Sequence, residues 1–223
     1  MDEESRILCC SDIHGHPRAL ERVLAGAGWR PGVDPLVLLG DYVDRGPSPR
    51  ETVARLRTLL RCPGVVALRG NHEEMLSQYL RGEISAARYL ANGGETTLED
   101  YSGDGDALAR DADFLSDLPI HHETADYIFV HGGLVPGVPL ESQRERDMLW
   151  IRGDFIRDYR GKLVVFGHTP TTSIRGDWEI YFGEDKIGID TGVAYGGYLS
   201  LLELPSGRVH RARGDNVESG GEI

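Results

Sequence analysis

The chain has 223 residues and a formal net charge of -12, from 36 Asp and Glu against 24 Lys and Arg spread along its whole length. That length holds one domain with a sizeable core, and the acidic surface repels polyanions at long range, which argues against nucleic acid as a partner. Three cysteines, with Cys9 and Cys10 adjacent and Cys62 apart, make a poor disulfide framework and point to a reducing, cytoplasmic compartment.

The first residues, MDEESRILCC, lack the basic flank and long hydrophobic segment of a signal peptide, and no run of about 18 apolar residues predicts a membrane span. Short apolar runs follow at Arg6 to Ser11, Leu36 to Leu39 and Val65 to Leu68. Helical patterns succeed them at Arg18 to Ala27, Pro49 to Arg61 and His72 to Arg81, which predicts a βαβα order. Pro47, Ser48 and Pro49 suit the start of the second helix. From Ser85 to Leu118, helical pieces broken by Asn92-Gly93-Gly94 and by Ser102 to Asp106 predict a cap-like segment. Further apolar runs at Tyr127 to Val130 and Leu163 to Phe166 flank an expected helix from Ser142 to Tyr159. Glu179 to Arg213 changes to strand-turn-strand, with turn formers at Gly183-Glu184-Asp185 and Pro205-Ser206-Gly207, and predicts a second sheet closing on the first. The domain is therefore expected over residues 1–213, with 214–223 a mobile tail too poor in apolar groups to offset its ordering.

Polar clusters stand at the ends of these runs: Asp12-Ile13-His14-Gly15, Gly40 to Gly46, Gly70-Asn71-His72-Glu73, His131-Gly132-Gly133 and Gly167-His168. Strand ends are where α/β folds gather ligand residues. Singly, each cluster means little, because a loop histidine is more often solvated than bound to metal. In succession they supply carboxylate, imidazole and amide donors, a mixed set that suits Mn, Fe or Zn better than Ca. No cysteine has the Cys-x5-Arg spacing of a cysteine phosphatase, and no P-loop is present.

The succession DIHG, GDYVDRG, GNHE, HGG and GHTP resembles the calcineurin-like metallophosphoesterases. Within them it is similar to the phosphoprotein phosphatase group, which includes bacterial and phage serine/threonine phosphatases and symmetrical diadenosine tetraphosphatases. The motifs run from Asp12 to His168, and the closing strands carry the likeness close to Arg213. The resemblance implies an α/β fold, a four-layer αββα sandwich with two facing mixed sheets. It implies that Asp12 and His14 bind a first divalent ion, Asp41 bridges, and Asn71, His131 and His168 bind a second. Mn2+ is the expected ion, with Fe or Zn as alternatives. His72 is then the general acid, Asp44 is hydrogen-bonded to it, and Arg45 grips phosphate oxygens. Arg152 resembles the second phosphate-binding arginine of the phage-type enzymes, against the plainer reading of an arginine on a helix surface. The implied chemistry is hydrolysis by a metal-bridging hydroxide, with no covalent phosphoenzyme.

Ser11 departs from the pattern, which commonly has Gly before the first Asp, and a local adjustment of the loop is the expected result. His16 reads as an exposed loop residue, Glu73 and Glu74 as a charged first helical turn, and His121 and His122 as surface residues. The expected activity is that of a monomeric serine/threonine protein phosphatase acting on a phosphoprotein or a small phosphorylated substrate, with no membrane partner. The runner-up is a symmetrical bis(5'-nucleosyl)-tetraphosphatase or related nucleotide hydrolase, because the same metal core serves both. A non-catalytic phosphate-recognition module comes third. Retention of His72, Asp44 and every ligand residue counts against it.

Overall fold

Leu8 and Cys10 point one way from the first strand and Cys9 the other, and all three are fully buried. A strand apolar on both faces needs a layer on each side. The computed structural model, which describes residues 6–215, supplies those layers. The elements run β1 (Ile7–Cys10), α1 (Pro17–Gly26), β2 (Leu36–Leu38), α2 (Pro49–Leu59), β3 (Val65–Ala67) and α3 (Asn71–Leu80). Then come α4 (Ala86–Leu90), α5 (Glu95–Asp100), α6 (Gly105–Ser116), β4 (His121–Glu123), β5 (Tyr127–Val130), α7 (Glu145–Trp150) and α8 (Gly153–Asp158). The chain closes with β6 (Leu163–Phe166), α9 (Thr172–Arg175), β7 (Tyr181–Phe182), β8 (Lys186–Gly188), β9 (Leu199–Leu204) and β10 (Arg208–Ala212).

The first sheet has the order β10-β9-β1-β2-β3, with β1, β2 and β3 parallel and β9 antiparallel to β1. The second has the order β4-β5-β6-β8-β7, with β5, β6 and β8 parallel and antiparallel strands at both edges. Between the sheets, Cys9, Val37, Leu39 and Leu68 meet Phe129, Val165, Ile187 and Ile189. Outside the first sheet, Leu8, Leu36 and Leu38 pack with Leu20, Val23, Leu56, Met75 and Leu115 of the helices. Outside the second, Val130, Val164 and Phe166 pack with Met148 and Phe155. The layers are therefore helix, sheet, sheet, helix, both sheets are mixed, and the implied sandwich is present. Each fully buried Val, Leu or Phe contributes about 1.5–3 kcal/mol relative to exposure.

The C-terminal strands do not build a sheet of their own. β7 and β8 join the second sheet, while β9 and β10 return to the first, where Leu202 and Leu201 pair with Cys9 and Cys10. Both predicted turns are hairpin turns, since β7–β8 and β9–β10 are antiparallel pairs. The expected helix from Ser142 to Tyr159 is also broken. α7 stops at Trp150, Ile151 is extended, Arg152 has φ -134° and ψ -104°, and α8 begins at Gly153. A β-branched residue and a glycine flanking one position weaken the helix there.

The 85–118 segment buries Tyr89, Leu108, Ala112 and Leu115 in the same core as α1, α2 and α3. Expected mobility of the tail does not extend to Asp215, whose carboxylate accepts from the backbone N–H of Arg18 at 3.0 Å and Ala19 at 2.8 Å. It caps the orphan donors at the start of α1; residues 216–223 of that expected tail lie outside the described residues. Among the described residues, no helix is long and apolar enough to cross a membrane.

Candidate metal centre

The loops after β1, β2, β3, β5 and β6 carry the residues expected at the site apart from Arg152, several of them on backbone that most side chains resist. Among the described residues, the non-glycine positions with positive φ are Asp12, His14, Asp41, Asp44, Arg45 and His168, at 42° to 69°. Asp and His tolerate this left-handed region better than most residues, yet each such position still costs on the order of 1–3 kcal/mol. The loops hold one another there: His14 N donates to Asp41 O at 2.8 Å, and Gly167 N donates to His131 O at 2.8 Å.

Two groups of side chains converge, His14–Asp41–His72 and Asp41–His131–His168, each with ligand-type atoms within 4.8 Å of one another. Asp41 is common to both. The Nδ1–H of His14 donates to Val43 O at 2.9 Å and that of His131 to Leu39 O at 2.8 Å, which turns both Nε2 atoms into the site. Such backbone partners fix the tautomer that a metal ligand needs. His131 Nε2 then faces Asn71 Oδ1 at 2.9 Å and Asp41 Oδ1 at 3.3 Å. With acceptors on both sides, the ring is satisfied only as the imidazolium. Burial opposes that charge, but Asp41 and Asp12 prevail and raise its pKa to about 9.

The donor set calls for cations. Asp41 ionises against the cost of burial because His131, His72 and His14 surround it, holding it well below the usual carboxylate range. Burial pushes Asp12 and Asp190 up, and burial with Asp41 raises Glu73 to about 7. Buried like charges of this kind need a partner. The His14 Nε2 accepts from Arg45 Nη1 at 2.6 Å, while the Nε2 atoms of His72 and His168 are buried without a hydrogen-bond partner among the described residues. A proton on His131 and a guanidinium on His14 thus stand where divalent ions would be held, and a metal would displace both. These residues fit the group.

Asp12 lies outside both groups by distance. Ser11 Oγ donates to its carboxylate, and so does the backbone N–H of His168 at 3.0 Å, which ties the β1 and β6 loops together. Ser11 thereby anchors an expected ligand residue. His72, fully buried, gives its Nδ1 to Asp44 Oδ2 at 2.7 Å and has its Nε2 3.9 Å from Asp41 Oδ2. Arg45 lies over the Tyr195 ring, 5.2 Å from its centroid. Arg152, exposed at the break between α7 and α8, brings Nη2 to 3.4 Å from His168 Nδ1.

Two expectations are corrected. Glu73 is not a solvated first-turn charge but is fully buried, accepting backbone N–H bonds from Asp41 at 2.8 Å, Tyr42 at 2.7 Å and Gly70 at 2.8 Å. His16 is buried, because residues 213–215 fold back over α1 and Asp215 N donates to its Nδ1 at 3.0 Å. His121 and His122 are half-buried in the edge strand β4. Sequence reasoning also passed over Asp190, Tyr195 and Trp150. Asp190 follows β8 as the candidate ligand residues follow their strands, and that shared position was the signal available. The Trp150 ring meets His168 edge-on at 5.9 Å and lines a groove of about 670 Å³ with Glu74, Gln78, Ile84, Arg88 and Leu149.

Two facing sheets whose loops present buried carboxylates and inward imidazoles define a metal-dependent hydrolase. The family profile of the calcineurin-like phosphoesterases matches residues 5–197, and the chain belongs to that family of metal-dependent phosphoric ester hydrolases. It is 29% identical to serine/threonine-protein phosphatase 1 of Salmonella typhimurium over 206 residues, covering 86% of this chain and 89% of the relative. It is 32% identical to the symmetrical bis(5'-nucleosyl)-tetraphosphatase of Dechloromonas aromatica over 134 residues, covering 60% of this chain but only 46% of that enzyme's length. A crystal structure provisionally named a diadenosine tetraphosphatase superposes with a TM-score of 0.74 at 25% identity, covering 97% of this chain and 96% of the other.

Proposed function

We propose that the chain is a serine/threonine protein phosphatase that works as a cytoplasmic monomer with two Mn2+ ions held by Asp12, His14, Asp41, Asn71, His131 and His168. The observation that carries this reading is the buried pair of His72 and Asp44, 2.7 Å apart, beside the carboxylate shared by both ligand groups. A serine alkoxide is a poor leaving group and a nucleoside polyphosphate a good one. A held proton donor, which contributes about 10²–10⁴ in rate, is therefore of most use to the ester. The end-to-end match to the Salmonella protein phosphatase supports the same choice.

Two bound divalent ions would supply a polarised phosphoryl group and an acidified water. The remaining work belongs to the chain. Val43 O and Leu39 O hold His14 and His131 with Nε2 inward. Arg45 and Arg152 offer guanidinium forks that match two edges of a phosphate. Asp44 holds the Nδ1–H of His72, which leaves Nε2–H to protonate the departing serine oxygen. The groove beside Trp150 has room for peptide residues around the phosphorylated side chain.

The end-to-end likeness to the provisionally named diadenosine tetraphosphatase favours a second reading, hydrolysis of a dinucleoside polyphosphate. Phosphate release from a phosphoserine peptide and cleavage of diadenosine tetraphosphate, each with Mn2+, separate the two. A kcat/KM higher for the dinucleotide by a factor of a hundred would sink the protein phosphatase reading.

A further inference from the structure

Asp44 meets His72 through only one of its carboxylate oxygens. Oδ2 accepts from His72 Nδ1, while Oδ1 accepts from the hydroxyls of Tyr89 and Thr97, both at 2.6 Å. Thr97 Oγ1 in turn accepts from the backbone N–H of Asp44 at 2.9 Å, a donor-plus-acceptor role open to a hydroxyl. Asp44, Tyr89 and Thr97 are all fully buried, so these bonds do not compete with solvent. Burial and the neighbouring Asp44 push the Tyr89 hydroxyl up, which keeps it a donor.

Both hydroxyls come from the 85–118 segment, Tyr89 from α4 and Thr97 from α5. The turn between them, Asn92-Gly93-Gly94, is shaped to the same loop. Gly93 O accepts from Arg45 N at 2.9 Å. A Cβ on Gly93 would lie 2.6 Å from Arg45 Cγ, and one on Gly94 would lie 2.4 Å from the Tyr89 ring. Backbone, ring and hydroxyls of this turn therefore close on Asp44 and Arg45 together, although Asp44 itself sits in a left-handed conformation that it would not hold unaided.

We propose that Tyr89 and Thr97 are positioning residues for the acid step: through Asp44 Oδ1 they fix the carboxylate that holds His72 in line to protonate the leaving oxygen. The inference rests on the acid role of His72 proposed above. The proton passes from His72 Nε2 to the ester oxygen as the P–O bond breaks. Tyr89 and Thr97 gain and lose nothing in that step.

The test compares a phosphoserine peptide, whose alkoxide needs an acid, with 2,4-dinitrophenyl phosphate, whose leaving group does not. His72→Asn sets the reference, with an expected fall in kcat of about 10²–10⁴ on the peptide and little on the aryl ester. Tyr89→Phe and Thr97→Val each lower kcat on the peptide on the order of tenfold, with KM and the aryl ester changed by less than about twofold. Thr97→Ser, which keeps the hydroxyl, restores the rate. Tyr89→Phe keeps the buried ring and tests the hydroxyl even if Thr97→Val does not fold. A loss shared equally by both substrates, or no loss, overturns the assignment of the residue concerned. If His72→Asn fails to discriminate between the substrates, the acid role falls and this inference with it. If His72→Asn discriminates and the two positioning variants do not, only this inference falls.

Discussion

The two ends of the sandwich treat buried charge in opposite ways. At the end where β1 begins, Asp34 accepts from Arg6 Nη2, Arg30 Nη2 and the Arg30 backbone N–H, each at 2.8 Å. Arg6 also reaches Glu203 at 3.0 Å and the carbonyls of Ala27 and Gly28. The guanidinium groups of Arg30 and Arg6 hold the Asp34 carboxyl well below its ordinary range. At the end where β1 finishes, carboxylates crowd one another and imidazole nitrogens lack partners. One end pairs its buried carboxylates with guanidiniums, although Arg6 Nε is itself buried without a hydrogen-bond partner among the described residues, and it contributes stability. The other is left incomplete by its own chain, and that incompleteness is its capacity to bind cations.

The strongest way to break the contrast is Asp41→Asn, which removes the carboxylate common to both ligand groups. We expect kcat/KM to fall by more than about 10³-fold and metal content, measured by atomic emission, to drop below that of the parent protein. Next, Arg45→Ala and Arg152→Ala should each raise KM for phosphoserine peptide by about tenfold or more while metal content stays unchanged. Equal KM values in parent and variants would remove those guanidiniums from substrate binding.

Asp34→Asn tests the paired end. It should cost about 1–3 kcal/mol in urea unfolding and leave kcat/KM within about twofold. The smallest effect is a pH slope. Glu73 is raised to about 7 in the folded chain, so the folded state carries the extra proton and stability falls as pH rises from its ordinary value to that point. His131, raised to about 9, contributes stability that is full below about 6.5 and lost as pH climbs through about 9. His14 and His168, lowered chiefly by burial, act in the opposite sense, but their effect is complete once the unfolded histidines have lost their protons. Metal-free protein should therefore lose a few °C in Tm between pH 6.5 and 9, and saturating Mn2+ should flatten the slope. Asp34 acts in the other window, contributing stability above its ordinary carboxylate range that is lost as pH falls below it. A metal-free Tm that rises from pH 6.5 to 9 would contradict the reading of His131 as the imidazolium.

Much of this was legible in the sequence because strands and ligands follow one rule. Runs such as LVL and YIFV are apolar on both faces, and each hands over to a polar residue at its end. The rule located the clusters that hold Asp12, Asp41, Asn71, His131 and His168, whose expected roles came from the family resemblance, and applied to β8 it would have picked out Asp190 as well. Glu73 escaped because its role depends on four backbone donors from two loops, which are distant in sequence and meet only after the first sheet forms. The break at Ile151-Arg152 was hidden by apolar residues that continue a helical period across it. His16 was misjudged because its cover comes from Asp215, 199 positions away.

The placement of β9 also orders events during synthesis. β1 is made long before its neighbour on one side, Leu199–Leu204, leaves the ribosome. Until then one edge of β1 has no strand beside it in the first sheet, and the chain that carries Asp12 and His14 waits on residues nearly two hundred positions downstream. Domains commonly fold as they emerge, but the segment around β1 is a scaffold whose central strand gains its second neighbour only once β9 has been made.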